Sequence, residues 1–169
     1  TERKYDVVGK GPPIVFSPGL YGSINTKLYS SFINSLKKEY SIITQKGLGI
    51  LKKDDIEDIA NDINVNKIGV ITHSSFDYKI LDSERVEKAV LLDPITIPDF
   101  TNTIQSKHIE TDIPTSIIYA NLSYSGETPF VIPGFDCIVE GPNVEKTYMD
   151  AGHADILDDI WANIGEMLK

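Results

Sequence analysis

The chain has 169 residues, of which 41% are apolar and 24% charged. This composition is typical of a soluble globular protein, so we expect residues 1–169 to form one domain. The net charge of −9 repels phosphate backbones and argues against nucleic acid as a partner. No apolar run approaches the roughly 18 residues that an integral membrane segment needs.

Cysteine usage points to a reducing environment. Cys137 is the one cysteine of the chain, so no internal disulfide can form, and no Cys/His cluster has zinc spacing. The first residues, from Thr1 to Tyr5, do not look like a secretory signal. We therefore expect a cytoplasmic protein without a metal ion or cofactor. The oligomeric state is left open.

Short apolar runs alternate with segments of helical period along the chain. The runs predict strands over residues 14–16, 41–44, 68–72, 89–92, 115–119 and 146–149. Helices are predicted over 28–36, 54–63 and 156–168, with a short helix from about 76 to 83. Two long segments, 95–113 and 121–143, carry no predicted element. Strands that are apolar on both faces indicate a doubly wound, mostly parallel sheet of about six strands, with helices on both faces.

Such α/β sheets bind ligands at the carboxyl ends of their strands. Ser74 follows the third predicted strand, Asp93 the fourth and His153 the sixth. A serine on a sharp turn between a strand and a helix lifts its hydroxyl clear of the sheet, and the backbone N–H of the next residue, Ser75, then points at a developing oxyanion. The positions two residues before and after Ser74, where glycine is usual, hold Thr72 and Phe76.

A glycine-rich turn follows the first predicted strand. Gly19 and Gly22 lie in this turn, and the backbone N–H of Leu20 is a candidate second donor to an oxyanion. The turn has neither the Gly-Lys-Ser/Thr ending of a phosphate-binding loop nor the glycine pattern of a dinucleotide site. The order Ser, Asp, His along the chain is the one found in α/β-hydrolases.

Four segments resemble the chlorophyllase and lipase-like branch of the α/β-hydrolases. They are Ile14-Val15-Phe16-Ser17-Pro18-Gly19, Thr72-His73-Ser74, Leu91-Leu92-Asp93-Pro94 and Gly152-His153-Ala154-Asp155-Ile156-Leu157-Asp158-Asp159. The resemblance implies a reduced α/β-hydrolase fold, because the chain is short for that family, with fewer N-terminal strands and a smaller lid. It also implies a serine esterase that needs no cofactor, and it leaves the ester unspecified.

The hypothesis from these residues is a carboxylic-ester hydrolase that works through an acyl-enzyme. Ser74 attacks the carbonyl, His153 takes and returns the proton, and Asp93 orients His153. The N–H groups of Leu20 and Ser75 form the oxyanion hole. The expected partner is a small-molecule or lipid ester. The side chains suggested to form its pocket are Tyr21, Ile95, Phe100 and Phe130.

Three alternatives stay open at this stage. Asp136 rivals Asp93 as the triad acid, because many hydrolases place this acid after the next strand. A thioesterase or an acyltransferase would use the same triad. The altered elbow around Ser74 also allows a weakly active or inactive hydrolase-fold protein that acts as a binding or interaction module.

Overall fold

A computed structural model describes residues 4–19, 27–46, 50–96, 107–120, 137–152, 156–159 and 167–168. The strands are β1 (Tyr5–Val8), β2 (Pro13–Ser17), β3 (Ser41–Gln45), β4 (Ile68–Phe76), β5 (Val86–Thr96), β6 (Lys107–Glu110), β7 (Thr115–Ala120), β8 (Cys137–Glu140) and β9 (Val144–Met149). The helices are α1 (Lys27–Leu36), α2 (Lys53–Asp62), a 3₁₀ helix (Tyr78–Asp82) and α3 (Ile156–Asp159).

Seven strands form one sheet in the order β1-β3-β2-β4-β5-β7-β9. Strand β1 runs antiparallel to β3, and the other neighbouring pairs are parallel. All six predicted strands are present, which confirms the mostly parallel sheet. The seventh strand, β1, was not predicted because the run from Tyr5 to Val8 is short and only Tyr5 is fully buried.

Helices cover both faces of the sheet, as predicted. One apolar cluster includes Ile56 and Ile59 of α2 together with Ile80 of the 3₁₀ helix. The cluster on the opposite face includes Phe32 of α1 and Ile156 of α3. Alternate residues of the central strands belong to the two clusters, so each strand is buried on both faces.

Helix α2 begins one residue earlier than the predicted Asp54. The Lys52 N–H donates to Asp55 Oδ2 at 2.9 Å, so a carboxylate of the first turn satisfies a backbone donor at the start of the helix. None of the described helices is long and apolar enough to cross a membrane.

Two strands lie where the sequence predicted no element. Strands β6 and β8 pair in parallel and form a separate two-stranded sheet. Ile109 and Val139 are buried in the main core, whereas Ile138 is 43% exposed. Strand β6 has a single apolar residue, Ile109, and β8 is only four residues long, so neither stood out from the long segments in which they lie.

The segment after Ser74 corrects the predicted strand-to-helix turn. Strand β4 continues through Ser74 to Phe76, and its last residues pair with Ile95 and Thr96 of β5. A 3₁₀ helix follows only at Tyr78, in place of the short helix expected from about residue 76. The Asp77 side chain accepts a hydrogen bond from the Lys79 N–H at 3.2 Å, which starts this turn of helix after the strand has ended.

Candidate functional site

The carboxyl ends of β2, β4, β5, β7 and β9 meet at one edge of the sheet. Ser17 at the end of β2 lies beside Thr72 of β4 in the strand register. His73 pairs with Leu92 of β5, and Leu92 pairs with Ile118 of β7. Ser74 and Asp93 follow His73 and Leu92 directly, so the two predicted triad residues lie at the same level of two adjacent strands.

The backbone at Ser74 and Asp93 departs from regular strand geometry. The register shifts between His73 and Ser75, where Asp93 and Pro94 of β5 lie opposite the single residue Ser74. Ser74 has a φ of 65° and Asp93 a φ of 44°. This left-handed region is unfavourable for residues with a side chain and is found disproportionately at functional sites. Both side chains are partly buried.

Gly19 lies directly against Ser74. A Cβ atom added at Gly19 would come to 3.0 Å from Ser74 Cβ and 3.4 Å from Ser74 Oγ. Gly19 can approach the serine this closely only because it has no side chain. The glycine-rich turn that the sequence suggested as an oxyanion site therefore begins in contact with the predicted nucleophile.

The Asp93 carboxylate is held at the end of the neighbouring strand β7. Its Oδ1 accepts a hydrogen bond from the Ala120 N–H at 3.1 Å. This bond joins the end of β5 to the end of β7, and it restricts the orientation of the carboxylate. A carboxylate restricted in this way at the edge of the sheet has the chemistry that a histidine-orienting acid requires.

The residue before Ser74 takes part in a buried polar contact. His73 is 2% exposed, and its Nδ1 lies 2.7 Å from the hydroxyl oxygen of Tyr29 on α1. The Gly19 N–H donates to the same oxygen at 3.2 Å. Burial raises the pKa of the Tyr29 hydroxyl above its ordinary value, and the hydrogen bond from Gly19 opposes this shift. The phenol is therefore neutral at physiological pH.

Sequence reasoning did not identify Tyr29 as part of the site. One feature could have indicated it, because Tyr29 lies three, four and seven residues before Phe32, Ile33 and Leu36. This spacing places Tyr29 on the apolar face of α1. A buried tyrosine needs a hydrogen-bond partner for its hydroxyl. Helix α1 follows β2 along the chain, so the polar residues at the carboxyl edge of the sheet were the partners to consider.

Threonine replaces the usual elbow glycine at position 72. Thr72 is 1% exposed, and its Oγ1 is one of the few buried side-chain atoms in the described part of the chain without a hydrogen-bond partner. The adjacent Ser17 Oγ accepts a hydrogen bond from the Leu51 N–H at 3.1 Å. The fold accommodates the larger side chain at Thr72 and leaves its hydroxyl unpaired.

The other predicted site residues divide into two groups. Ser75 and Ile95 are partly buried and lie beside each other in the register of β4 and β5. The remaining positions lie outside the described residues, and their roles stay predictions. They are Leu20, Tyr21, Phe100, Phe130, Asp136 and His153. Among the described residues, no three His, Cys, Asp or Glu side chains are grouped so that they could hold a metal ion.

Similarity to known proteins is found at the level of structure. No family model matches the chain, and the search of curated proteins found no match. A marine microorganism esterase is similar, with a TM-score of 0.61, 13% identity and coverage of 97% of each chain. A hydrolase from Pseudomonas aeruginosa has a TM-score of 0.67 at 8% identity and covers 97% of this chain and 93% of its own.

An inhibitor-bound epoxide hydrolase from Bacillus megaterium is also similar, with a TM-score of 0.58 and 12% identity, over 97% of this chain and 95% of its own. These likenesses agree with the strand order and the helices on both faces. The chain therefore has a reduced α/β-hydrolase fold. The narrower resemblance to the chlorophyllase and lipase-like branch stays a prediction.

Proposed function

We propose that this protein is a serine hydrolase that cleaves a carboxylic ester through Ser74, Asp93 and His153. The observation that carries the proposal is the backbone of Ser74, which has a φ of 65° at the carboxyl edge of an α/β-hydrolase-type sheet. An unfavourable backbone conformation at a serine is maintained only when the surrounding fold enforces it. In this fold such a conformation presents the nucleophile.

The proposed reaction begins when Ser74 Oγ attacks the ester carbonyl and His153 takes the hydroxyl proton. The N–H groups of Leu20 and Ser75 stabilise the negative charge that develops on the carbonyl oxygen. His153 then passes the proton to the leaving alcohol, and an acyl group remains on Ser74. Water, deprotonated by His153, attacks the acyl group and releases the carboxylic acid.

Asp93 is the proposed orienting acid. Its position beside Ser74 and its hydrogen bond from the Ala120 N–H support this role, because both restrict where the carboxylate can lie. Asp136 remains the alternative acid. The proposed substrate is a small-molecule or lipid ester, whose apolar part would contact Tyr21, Ile95, Phe100 and Phe130. We further propose that residues 1–169 form a single domain.

A fluorophosphonate probe tests the proposal, because such probes react with activated serines. We expect the probe to label wild-type protein at one site, which peptide mass mapping places on Ser74. Labelling should be lost in Ser74→Ala and should fall by about 10³-fold or more in His153→Ala. Ser31→Ala is a matched control, because Ser31 is exposed on α1, and this variant should be labelled like the wild type.

Two further variants separate the candidate acids. Asp93→Asn removes the charge proposed to stabilise the protonated His153, so it should reduce the labelling rate by about 10³- to 10⁴-fold. Asp136→Asn should leave the rate within a factor of two or three of wild type. The reverse pattern would assign the acid to Asp136 and leave the remainder of the mechanism in place.

One observation favours a second function, that of a catalytically inactive binding or interaction module. Strand β4 continues through Ser74, and Ser75 lies in register with Ile95, so the turn differs from the strand-to-helix elbow of active hydrolases. Well-folded protein that the probe leaves unlabelled would support this module. Labelled protein that cleaves a thioester in preference to the matched oxygen ester would instead indicate a thioesterase.

A further inference from the structure

The buried N–H of Gly19 donates a hydrogen bond to a side chain of helix α1. Gly19 is buried at the end of β2, and a buried N–H without an acceptor is costly. The Tyr29 hydroxyl oxygen, at 3.2 Å, is the acceptor. Tyr29 lies on α1 and is 2% exposed, so water does not compete for the contact.

The same hydroxyl has one proton to donate. Tyr29 Oη uses a lone pair for the Gly19 N–H, and it lies 2.7 Å from His73 Nδ1. A neutral phenol can donate its proton to an unprotonated imidazole nitrogen. The Gly19 N–H, the Tyr29 hydroxyl and His73 Nδ1 all have a hydrogen-bond partner when Nδ1 is the acceptor and the imidazole proton resides on Nε2.

The Tyr29 ring has little freedom to turn away. Phe16 of β2 packs edge-on against it, with ring centroids 5.4 Å apart and an interplanar angle of 64°. The His73 ring packs at 5.5 Å and 71°. The hydroxyl is therefore fixed between Gly19 and the strand segment that presents Ser74.

We propose that Tyr29 is a positioning residue that sets the distance between Gly19 and Ser74, an inference that rests on the proposed function. Gly19 is in contact with Ser74 and directly precedes Leu20, whose N–H is the proposed oxyanion donor. His73 directly precedes Ser74. One hydroxyl thus joins the residue before the donor to the residue before the nucleophile.

The effect on catalysis follows from geometry. A displacement of about 1 Å between reacting groups can reduce the rate by about 10²-fold. Loss of one oxyanion donor typically reduces it by about 10²–10³-fold. Removing the Tyr29 hydroxyl weakens the alignment of Gly19 with Ser74 but leaves both proposed oxyanion donors in the chain. We therefore expect a loss of about 10–100-fold in kcat with little change in KM.

The test uses Tyr29→Phe with Tyr5→Phe as the matched control. The Tyr5 hydroxyl donates to Asp62 Oδ2 on the side of the sheet that faces α2, away from Ser74. Labelling by the fluorophosphonate probe should slow by about 10–100-fold in Tyr29→Phe and by less than about two-fold in Tyr5→Phe. A merely structural role for Tyr29 predicts that both variants lose stability and keep the labelling rate.

Amide hydrogen exchange measured by NMR gives a readout that does not depend on activity. Exchange of the Gly19 N–H should rise at least about 10-fold in Tyr29→Phe and stay unchanged in Tyr5→Phe. Unchanged exchange at Gly19 would overturn the inference, as would faster exchange together with an unchanged labelling rate. If wild-type protein is not labelled at all, the proposed esterase function fails, and the exchange result alone decides whether Tyr29 holds Gly19 in place.

Conservative replacement of His73 provides a rescue experiment. Asparagine places an oxygen near the position of Nδ1 and can accept the Tyr29 proton, whereas leucine cannot. His73→Asn should therefore retain at least about five-fold more labelling than His73→Leu. Equal labelling of His73→Asn and His73→Leu would show that the hydrogen bond between Tyr29 and His73 does not maintain the labelling rate.

Discussion

The parallel strands of the sheet begin at one edge, the amino end, and finish at the other, the carboxyl end. Polar groups at these two ends differ in how completely they are hydrogen-bonded. At the amino end, the Arg85 guanidinium donates to Asn66 O at 2.6 Å, to Asn61 Oδ1 at 2.6 Å and to Val65 O at 2.7 Å. Thr111, also at this end, donates to Leu81 O at 2.7 Å. The loops at the amino end are tied together by these hydrogen bonds.

The carboxyl end carries unpaired polar atoms and unfavourable backbone. Within the described residues, the buried side-chain atoms without a hydrogen-bond partner are Thr44 Oγ1, Gln45 Oε1 and Thr72 Oγ1. Thr44 and Gln45 end β3, and Thr72 lies beside Ser17, the last residue of β2. Ser74 and Asp93 have positive φ at the same edge. The other described non-glycine residue with positive φ is Asn64 at the amino end, and asparagine tolerates this conformation. Strain and unpaired groups tend to concentrate where function requires them. The comparison agrees with a division in which the amino end stabilises the fold and the carboxyl end carries the proposed site.

The largest effect is expected from Ser74→Gly. Glycine removes the nucleophile and tolerates a φ of 65°, so labelling should vanish while the free energy of unfolding rises by about 1 kcal/mol. Ser74→Ala is the matched control, since alanine loses the activity and keeps the backbone strain. Urea unfolding measures the free energy of unfolding of both variants. Equal stability of the two variants would mean that Ser74 is not strained.

Arg85→Met at the amino end should have a smaller effect, which lowers stability and leaves labelling unchanged. Methionine keeps the aliphatic stem and removes three hydrogen bonds, so the free energy of unfolding should fall by about 1–3 kcal/mol. The probe-labelling rate at 25 °C should be unchanged. Lys67→Met, at an exposed neighbouring position, should change stability by less than about 0.5 kcal/mol. A large loss of labelling in folded Arg85→Met would break the proposed division between the two ends.

A matched pair of threonines compares the two ends at the level of one hydroxyl group each. Thr111 Oγ1 donates to Leu81 O and accepts from the Ile113 N–H, so Thr111→Val should reduce the free energy of unfolding by about 1–3 kcal/mol. Thr72 Oγ1 has no partner, so Thr72→Val should be neutral or stabilising by up to about 1 kcal/mol. Thermal or urea unfolding distinguishes them. Equal losses would show that the Thr72 hydroxyl is satisfied in solution.

Local sequence patterns were sufficient for much of the fold. The apolar runs around Ile14, Ile71 and Leu91 have no polar face, so they predicted buried parallel strands, and these strands are present. The same patterns placed Ser74 and Asp93 close to the carboxyl ends of two strands, because a buried run ends where the polar residues begin. In the structure both strands continue slightly further than predicted, to Phe76 and to Thr96. The identity of the triad itself stays a prediction.

Other features depend on residues that are far apart in the sequence. Strands β1, β6 and β8 are four residues long. A run that short does not reveal its partner, so the antiparallel pairing of β1 with β3 and the pairing of β6 with β8 could not be predicted. The register shift at Ser74 likewise depends on both β4 and β5.

The sequence by itself determined which segments are buried and which chemistry-bearing residues follow them, because periodicity and polarity are local properties. Only the tertiary structure decided that Gly19, Tyr29 and His73 share one hydroxyl group and that Gly19 lies against Ser74. Tyr29 and His73 are 44 residues apart and meet because α1 packs across the ends of β2 and β4. Such a contact follows from the packing of a whole face, which no single segment encodes.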